Sequence, residues 1–109
     1  MYGLKYKNMT VKLAVLKSGE DIIADMQEMI LDEKVIGYFF DKPCVAKLSP
    51  SETVEDSFKI SLYPWIPLSK TTRVPVINDW VITIVDPIDK LSEMYVNEVL
   101  SIVENVEGV

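Results

Sequence analysis

The clearest chemistry in this sequence lies between positions 63 and 73, where aromatic and basic residues are interspersed with prolines. Tyr63 and Trp65 can stack on nucleobases, and Lys70 and Arg73 can contact phosphates, as in sites for single-stranded nucleic acid. In the alternative interpretation, Trp65 and Ile66 are buried at a subunit interface while the prolines stiffen a tight loop. The sequence favours this second interpretation without excluding the first.

Few other residues could carry a reaction. The chain has no histidine, four glycines and one cysteine, so it lacks a histidine-assisted nucleophile, a glycine-rich phosphate loop and a CxxC zinc site. Cys44 is expected to be a small buried residue on a strand. Four acidic residues flank the last strand and could hold a divalent cation, but the start of a helix explains negative charge there better; they are Asp79, Asp86, Asp89 and Glu93. We therefore predict no enzymatic activity, no cofactor and no metal site.

Charge and hydropathy bear on the partners of the chain. The net charge of −6 over 109 residues argues against a general nucleic acid binder, although a local basic patch could overrule it. Hydrophobic residues make up 49% of the chain, and its mean hydropathy is +0.17. A domain of this size cannot bury all of that surface internally, so part of it is expected to meet another subunit. No segment has the length of a membrane span and no apolar signal core is present, so we expect a cytoplasmic protein.

Short strands followed by one helix would position these residues. Apolar runs predict about five strands, over residues 11–17, 20–29, 35–48, 58–62 and 80–85. Gly19 is expected to turn the first hairpin, and Pro43 to mark a bulge or an edge. The last strand is apolar enough for burial on both faces, inside a barrel wall or at an interface.

The end of the chain has the pattern of a helix. Asp86-Pro87 is expected to begin it, with Asp89 in the first turn. We therefore predict a single domain over residues 1–109 that is mainly β. It would comprise a small, strongly bent, five-stranded antiparallel barrel over 11–86 and a C-terminal α-helix over 87–104, with residues 1–8 a loosely held extension.

The first hairpin resembles the opening motif of the Sm-like ring proteins. In that motif a strand ends in glycine, passes through a charged pair and reaches a position where the second strand bends sharply. Gly19, Glu20-Asp21 and Ala24 occupy those places here. Because alanine permits a sharp bend less readily than glycine, the bend is expected to rely on a bulge. The chain is similar to short Sm-like proteins of marine T4-like phages, and the resemblance implies the SH3-type barrel of that family.

The resemblance also implies a binding site. Family members hold a uridine with an Asp and an Asn after the second strand, where this chain has Asp32 and Lys34 but no Asn. They add a cation beside a glycine before the last strand, where this chain has Lys70 and Arg73 but no glycine. The candidate RNA-binding residues are therefore Asp32, Lys34, Tyr63, Trp65, Lys70 and Arg73.

Finally, the resemblance implies an assembly. Family members form rings by pairing the fourth strand of one subunit with the fifth strand of the next, which here are residues 58–62 and 81–85. We therefore expect a homo-oligomeric, ring-forming binding protein of phage origin in the host cytoplasm, with RNA bound at the ring pore. The alternative is a protein-interaction or scaffold ring that binds no RNA.

Overall fold

The computed structural model describes residues 3–53, 55 and 57–100, and most of these belong to β-strands. In this part of the chain six strands form one antiparallel sheet, and a helix follows them. The strands are β1 (Leu4–Leu16), β2 (Asp21–Leu31), β3 (Lys34–Pro50), β4 (Phe58–Pro64), β5 (Arg73–Ile77) and β6 (Val81–Val85). A 3₁₀ turn at Asn78–Trp80 precedes β6, and helix α1 (Asp89–Tyr95) continues as a wider π-helical turn over Val96–Leu100. The predicted mainly β fold with a C-terminal helix is confirmed.

The strand order in the sheet is β4-β3-β2-β1-β6. Strand β3 is paired along both edges, with β2 on one side and with β5 and then β4 on the other. Within the described residues no ladder joins β4 to β6, so the sheet is open; β4 and β6 end this strand order, and β5, which pairs only with β3, also has an unpaired edge. The sequence predicted about five strands in a closed barrel. The structure has six, because the proline-rich segment after β4 also forms a strand, and closure of the barrel stays a prediction.

Apolar side chains pack on both faces of the sheet. One core contains Ile22, Ala24 and Phe40, and the other joins Ile23 to Tyr95 of α1. Successive side chains of a strand point to opposite faces, so consecutive residues of β2 are fully buried only because both faces are covered here. Burying one such large side chain contributes about 1.5–3 kcal/mol.

Positive φ angles mark a turn and a bulge that shape the sheet. Gly19 (φ 93°) turns the first hairpin, as predicted. Lys42 (φ 50°) precedes Pro43, and these two residues of β3 lie opposite Ala24 alone, where the register with β2 shifts. The bulge predicted at Pro43 and at Ala24 is therefore confirmed, and such a bulge bends its strand and increases the local twist.

Both ends of the domain differ from the prediction. Strand β1 begins at Leu4, so residues 4–8 belong to the sheet instead of forming a loose extension. Helix α1 begins at Asp89 and not at Asp86-Pro87; Asp86 lies before the helix and forms an ion pair with Lys12 of β1. Asp89 lies in the first turn, as predicted. Residues 101–104 of the predicted helix lie outside the described residues.

Strand β6 is less buried than its sequence indicates. Ile82 is 63% exposed and Val85 is 45% exposed. The reason is that β6 pairs only with β1, which leaves its other edge and much of one face uncovered in the single chain. Burial of both faces within one subunit is therefore wrong, whereas burial at an interface stays a prediction.

Candidate functional site

A polar cleft of about 410 Å³ lies on the face of the sheet that carries α1. Three strands and the start of β5 contribute to it, so residues far apart in sequence meet there. We call it the Arg73 cleft; it is lined by Asn8, Thr10, Val11, Asp25, Gln27, Phe39, Asp41 and Arg73.

Strand register explains why these side chains share one face. Val11, Asp25, Asp41 and Arg73 are successive cross-strand partners on β1, β2, β3 and β5. Partners that lie directly opposite each other project to the same side of a sheet, with Cβ atoms about 4.5–5.5 Å apart. Two carboxylates and one guanidinium are therefore placed in a single row across the sheet.

The guanidinium of Arg73 is held in one orientation. Its Cζ lies 3.6 Å from the ring centroid of Phe39 and 5.6 Å from that of Tyr6, which is a cation–π arrangement. Its Nε donates a hydrogen bond of 3.2 Å to Oε1 of Gln27, and Nη2 donates to the same oxygen. Gln27 in turn donates from Nε2 to Oδ1 of Asn8. Among the described residues Arg73 forms no ion pair, although two carboxylates line the same cleft.

The backbone at the edge of the cleft is strained. Thr10 has a φ of 77°, in the left-handed region that β-branched residues rarely adopt. The strain coincides with a bulge in β1, where the register with β2 shifts between Asn8 and Thr10. Such strain is usually retained where the backbone must place a functional group.

Tyr95 of α1 fixes the neighbouring part of β3. Its hydroxyl lies 2.9 Å from the carbonyl oxygens of both Asp41 and Lys42, to which it donates. The ring is fully buried, and burial raises the pKa of Tyr95 well above its ordinary value, so the hydroxyl stays protonated at physiological pH. Helix α1 thereby fixes the backbone of β3 at Asp41, which lines the cleft, and at the bulge that follows it.

The six candidate RNA-binding residues do not converge on one place. Asp32 and Lys34 are exposed at the β2–β3 turn, at the opposite end of β3 from the segment that pairs with Tyr63. Tyr63 is 51% exposed, with Nζ of Lys47 lying 5.7 Å from its ring centroid. Lys70 is exposed in the loop that precedes β5.

Trp65 and Arg73 are already engaged within the chain. Trp65 packs beside Phe40, with ring centroids 6.2 Å apart, and its Nε1 donates a 3.1 Å hydrogen bond to Glu20. Its ring therefore packs partly against the core of its own subunit, while Ile66 next to it is 43% exposed. Arg73 lies in the cleft described above, turned towards Gln27.

Sequence reasoning missed the other charged residues of the cleft. Asp25 interrupts the apolar run Ile22–Met26, and Asp41 directly follows the aromatic run Tyr38–Phe40; a charge at such a position was the available signal. Their neighbours in the structure are set by bulges in β1 and β3, which shift the register. No local sequence pattern predicts at which residue such a register shift occurs.

The remaining sequence candidates are placed as follows. Cys44 is buried on β3, as predicted, and burial raises the pKa of its thiol. Within residues 3–53, 55 and 57–100, no three His, Cys, Asp or Glu side chains are grouped so that they could hold a metal ion. In the same part of the chain, no helix combines the length and the apolar character needed to cross a membrane.

Comparison with known proteins leaves the family open. No protein-family model matches this chain, and no curated protein matches it.

Proposed function

We propose that the chain is a Sm-like, ring-forming binding protein of phage type, in which β4 of one copy pairs with β6 of the next. The observation that carries the proposal is the state of β4 and β6, the two strands that end the order β4-β3-β2-β1-β6. Each has one unpaired edge within the described structure, and each exposes a large apolar side chain, Phe58 (62%) on β4 and Ile82 (63%) on β6.

Unpaired apolar edges are sites for strand addition. An antiparallel β4–β6 contact would satisfy backbone N–H and C=O groups on both chains and continue the sheet from one subunit into the next. Covering the exposed parts of Phe58 and Ile82 would contribute on the order of 1 kcal/mol each. Because the two edges differ, the contact is head-to-tail, and its repetition closes a ring where the rotation between neighbours permits. In such an assembly the barrel predicted for the single chain would be completed by its neighbours.

The assembly is tested by light scattering on Ile82→Lys, which places a charge on the β6 edge. We expect the wild type to give a defined multiple of 12.4 kDa and the variant to give a monomer. Leu68→Lys is the matched control, because Leu68 is 98% exposed in a loop outside both edge strands. A monomeric wild type, or an Ile82→Lys variant with the wild-type mass, would refute the proposal.

The proposal has two versions, a ring that binds RNA and a protein-interaction ring that does not, and different observations support each. RNA at the pore is supported by the exposed Tyr63 and Lys70, whereas the exposed Lys34 lies at the other end of β3. A protein-interaction or scaffold ring without RNA is supported by the net charge of −6 and by Arg73, which faces two carboxylates in its own cleft. The second version has the stronger support, because Arg73, one of the two cations expected to meet phosphates, is held by Gln27 and Phe39.

Lys70→Glu separates the two versions. If RNA is the ligand, this variant should bind a uridine-rich oligomer at least tenfold more weakly than Lys90→Glu, a matched charge reversal on α1. Equal and negligible RNA binding by the wild type and both variants, with the ring intact, would favour the scaffold.

A further inference from the structure

The charged side chains of the Arg73 cleft lie in one row across the sheet, but the carboxylates are not paired with the guanidinium. Asp25 and Asp41 lie directly opposite each other on neighbouring strands, an arrangement that repels and destabilises a sheet. Arg73 is the next residue in the same cross-strand row and could relieve that repulsion. Instead, its guanidinium is stacked on Phe39 and hydrogen-bonded to Gln27, and it forms no ion pair with any residue in the described part of the chain.

We propose that the Arg73 cleft binds a small zwitterion of the amino-acid type. The ligand's carboxylate would take the free edge of the Arg73 guanidinium, whose planar fork suits a carboxylate. Its ammonium group would lie at Asp25 and Asp41 and relieve their mutual repulsion. The proposal goes beyond the ring and does not depend on it, because every lining residue belongs to one chain.

Size and composition fit such a ligand. A volume of about 410 Å³ accommodates a small amino acid and falls within the range of roughly 300–1,000 Å³ typical of ligand sites. Val11 and Phe39 supply apolar surface for the carbon chain, and Asn8 and Gln27 supply amide groups around it. Two carboxylates against one guanidinium leave one net negative charge, so basic amino acids should bind more tightly than acidic ones.

The charged groups of the Arg73 cleft are preorganised within the chain. Two partners orient Arg73, and the Tyr95 hydroxyl fixes the backbone of Asp41. Preorganised polar groups bind more tightly because little ordering remains to be done on binding. The strained φ of Thr10 at the rim of the cleft is in keeping with a site that has been shaped for a ligand.

Saturation-transfer NMR with three probes of three carbons each tests the proposal. β-Alanine carries both charges, whereas propionate and propylammonium each carry one. We expect β-alanine to bind the full-length protein at least tenfold more tightly than either single-charge probe, and lysine to compete with it better than glutamate. Ligand-detected signals remain measurable whether or not the chain forms a ring.

Variants assign the effect to the cleft. Arg73→Gln and Asp25→Asn should each weaken β-alanine binding at least tenfold, while Asp21→Asn, an exposed carboxylate on the same strand outside the cleft, should leave it unchanged. If Arg73→Gln does not fold, Arg73→Lys keeps the charge without the fork and should still weaken binding. The proposal fails if propylammonium binds as tightly as β-alanine, if Mg²⁺ displaces β-alanine, or if the cleft variants bind like the wild type.

Discussion

Replacing Tyr95 with phenylalanine isolates the hydrogen bond by which α1 is fastened to the sheet. The Tyr95 hydroxyl lies 2.9 Å from two backbone carbonyl oxygens at the β3 bulge, those of Asp41 and Lys42. The ring itself is fully buried against Ile23 and Cys44. Tyr95→Phe keeps that packing and removes only the oxygen, so the change in stability reports on the bond.

The expected loss of stability in Tyr95→Phe follows from the removal of one hydroxyl proton that is donated to two acceptors. A neutral hydrogen bond contributes about 0.5–1.5 kcal/mol net, and a buried acceptor left without a partner adds to the loss. We therefore expect Tyr95→Phe to lower the free energy of unfolding by about 1–2 kcal/mol. Tyr95→Ala, which also removes the ring, should cost about 3–5 kcal/mol.

Urea unfolding at pH 7 measures both variants. The fluorescence of Trp65, which is packed beside Phe40 in the core, is a suitable probe of tertiary structure. All proteins must be compared at one protomer concentration, because assembly makes apparent stability depend on concentration. A Tyr95→Phe variant with unchanged stability would refute the role of this bond, and one as unstable as Tyr95→Ala would show that the ring had lost its packing.

Alkaline pH gives an independent check on the same residue. Burial raises the pKa of folded Tyr95 above its ordinary value of 10.0, so the unfolded chain ionises first as the pH rises. The contribution of Tyr95 is therefore complete below about pH 10 and is lost progressively above it. Between about pH 9 and pH 11 the wild type should lose more stability than Tyr95→Phe, which has no proton to release there. Parallel losses in both proteins would contradict the assigned shift.

Three substitutions in the strands and turns give further tests by thermal or urea unfolding. Gly37→Ala should destabilise the protein by about 1–3 kcal/mol, because the added Cβ would lie 2.8 Å from the carbonyl oxygen of Val76 and 2.9 Å from Cε of Met29. Gly19→Ala has open space around it but a φ of 93°, so it should cost about 1 kcal/mol through the backbone alone. Thr10→Gly relieves the strained φ of 77° and should cost less than glycine usually does in a strand, or stabilise the chain by up to about 1 kcal/mol. A Thr10→Gly variant that loses more than about 2 kcal/mol would show that the side chain matters more than the strain.

The features that sequence reasoning predicted are those with local causes. Gly19 turns the hairpin because a positive φ is easy only for glycine, and Cys44 is buried because it continues an apolar strand. The bulge at Pro43 follows from a missing backbone donor and from the need to bend opposite Ala24.

The features that it missed depend on contacts distant in sequence. Strand β5 contains Pro75 and follows a proline-rich loop, so its pairing with β3 has no local signature. The helix begins two residues late, and Asp86, expected at its start, instead forms an ion pair with Lys12 on the first strand. The meeting of Asp25 with Asp41 is fixed by a bulge that shifts one strand against its neighbour, and periodicity specifies faces without specifying such shifts.

The pairing of β1 with β6 has a consequence for the way in which the chain folds. Strands β1, β2 and β3 are joined by tight turns and can zip together through small loops, whereas β6 must return across almost the whole described chain to reach β1. The β1–β6 ladder is therefore expected to form last, and until it does the edge of β1 stays open to any strand of matching sequence. At high concentration the nearest such strand belongs to another molecule, so slow folding of this chain should favour exchange of β6 between copies.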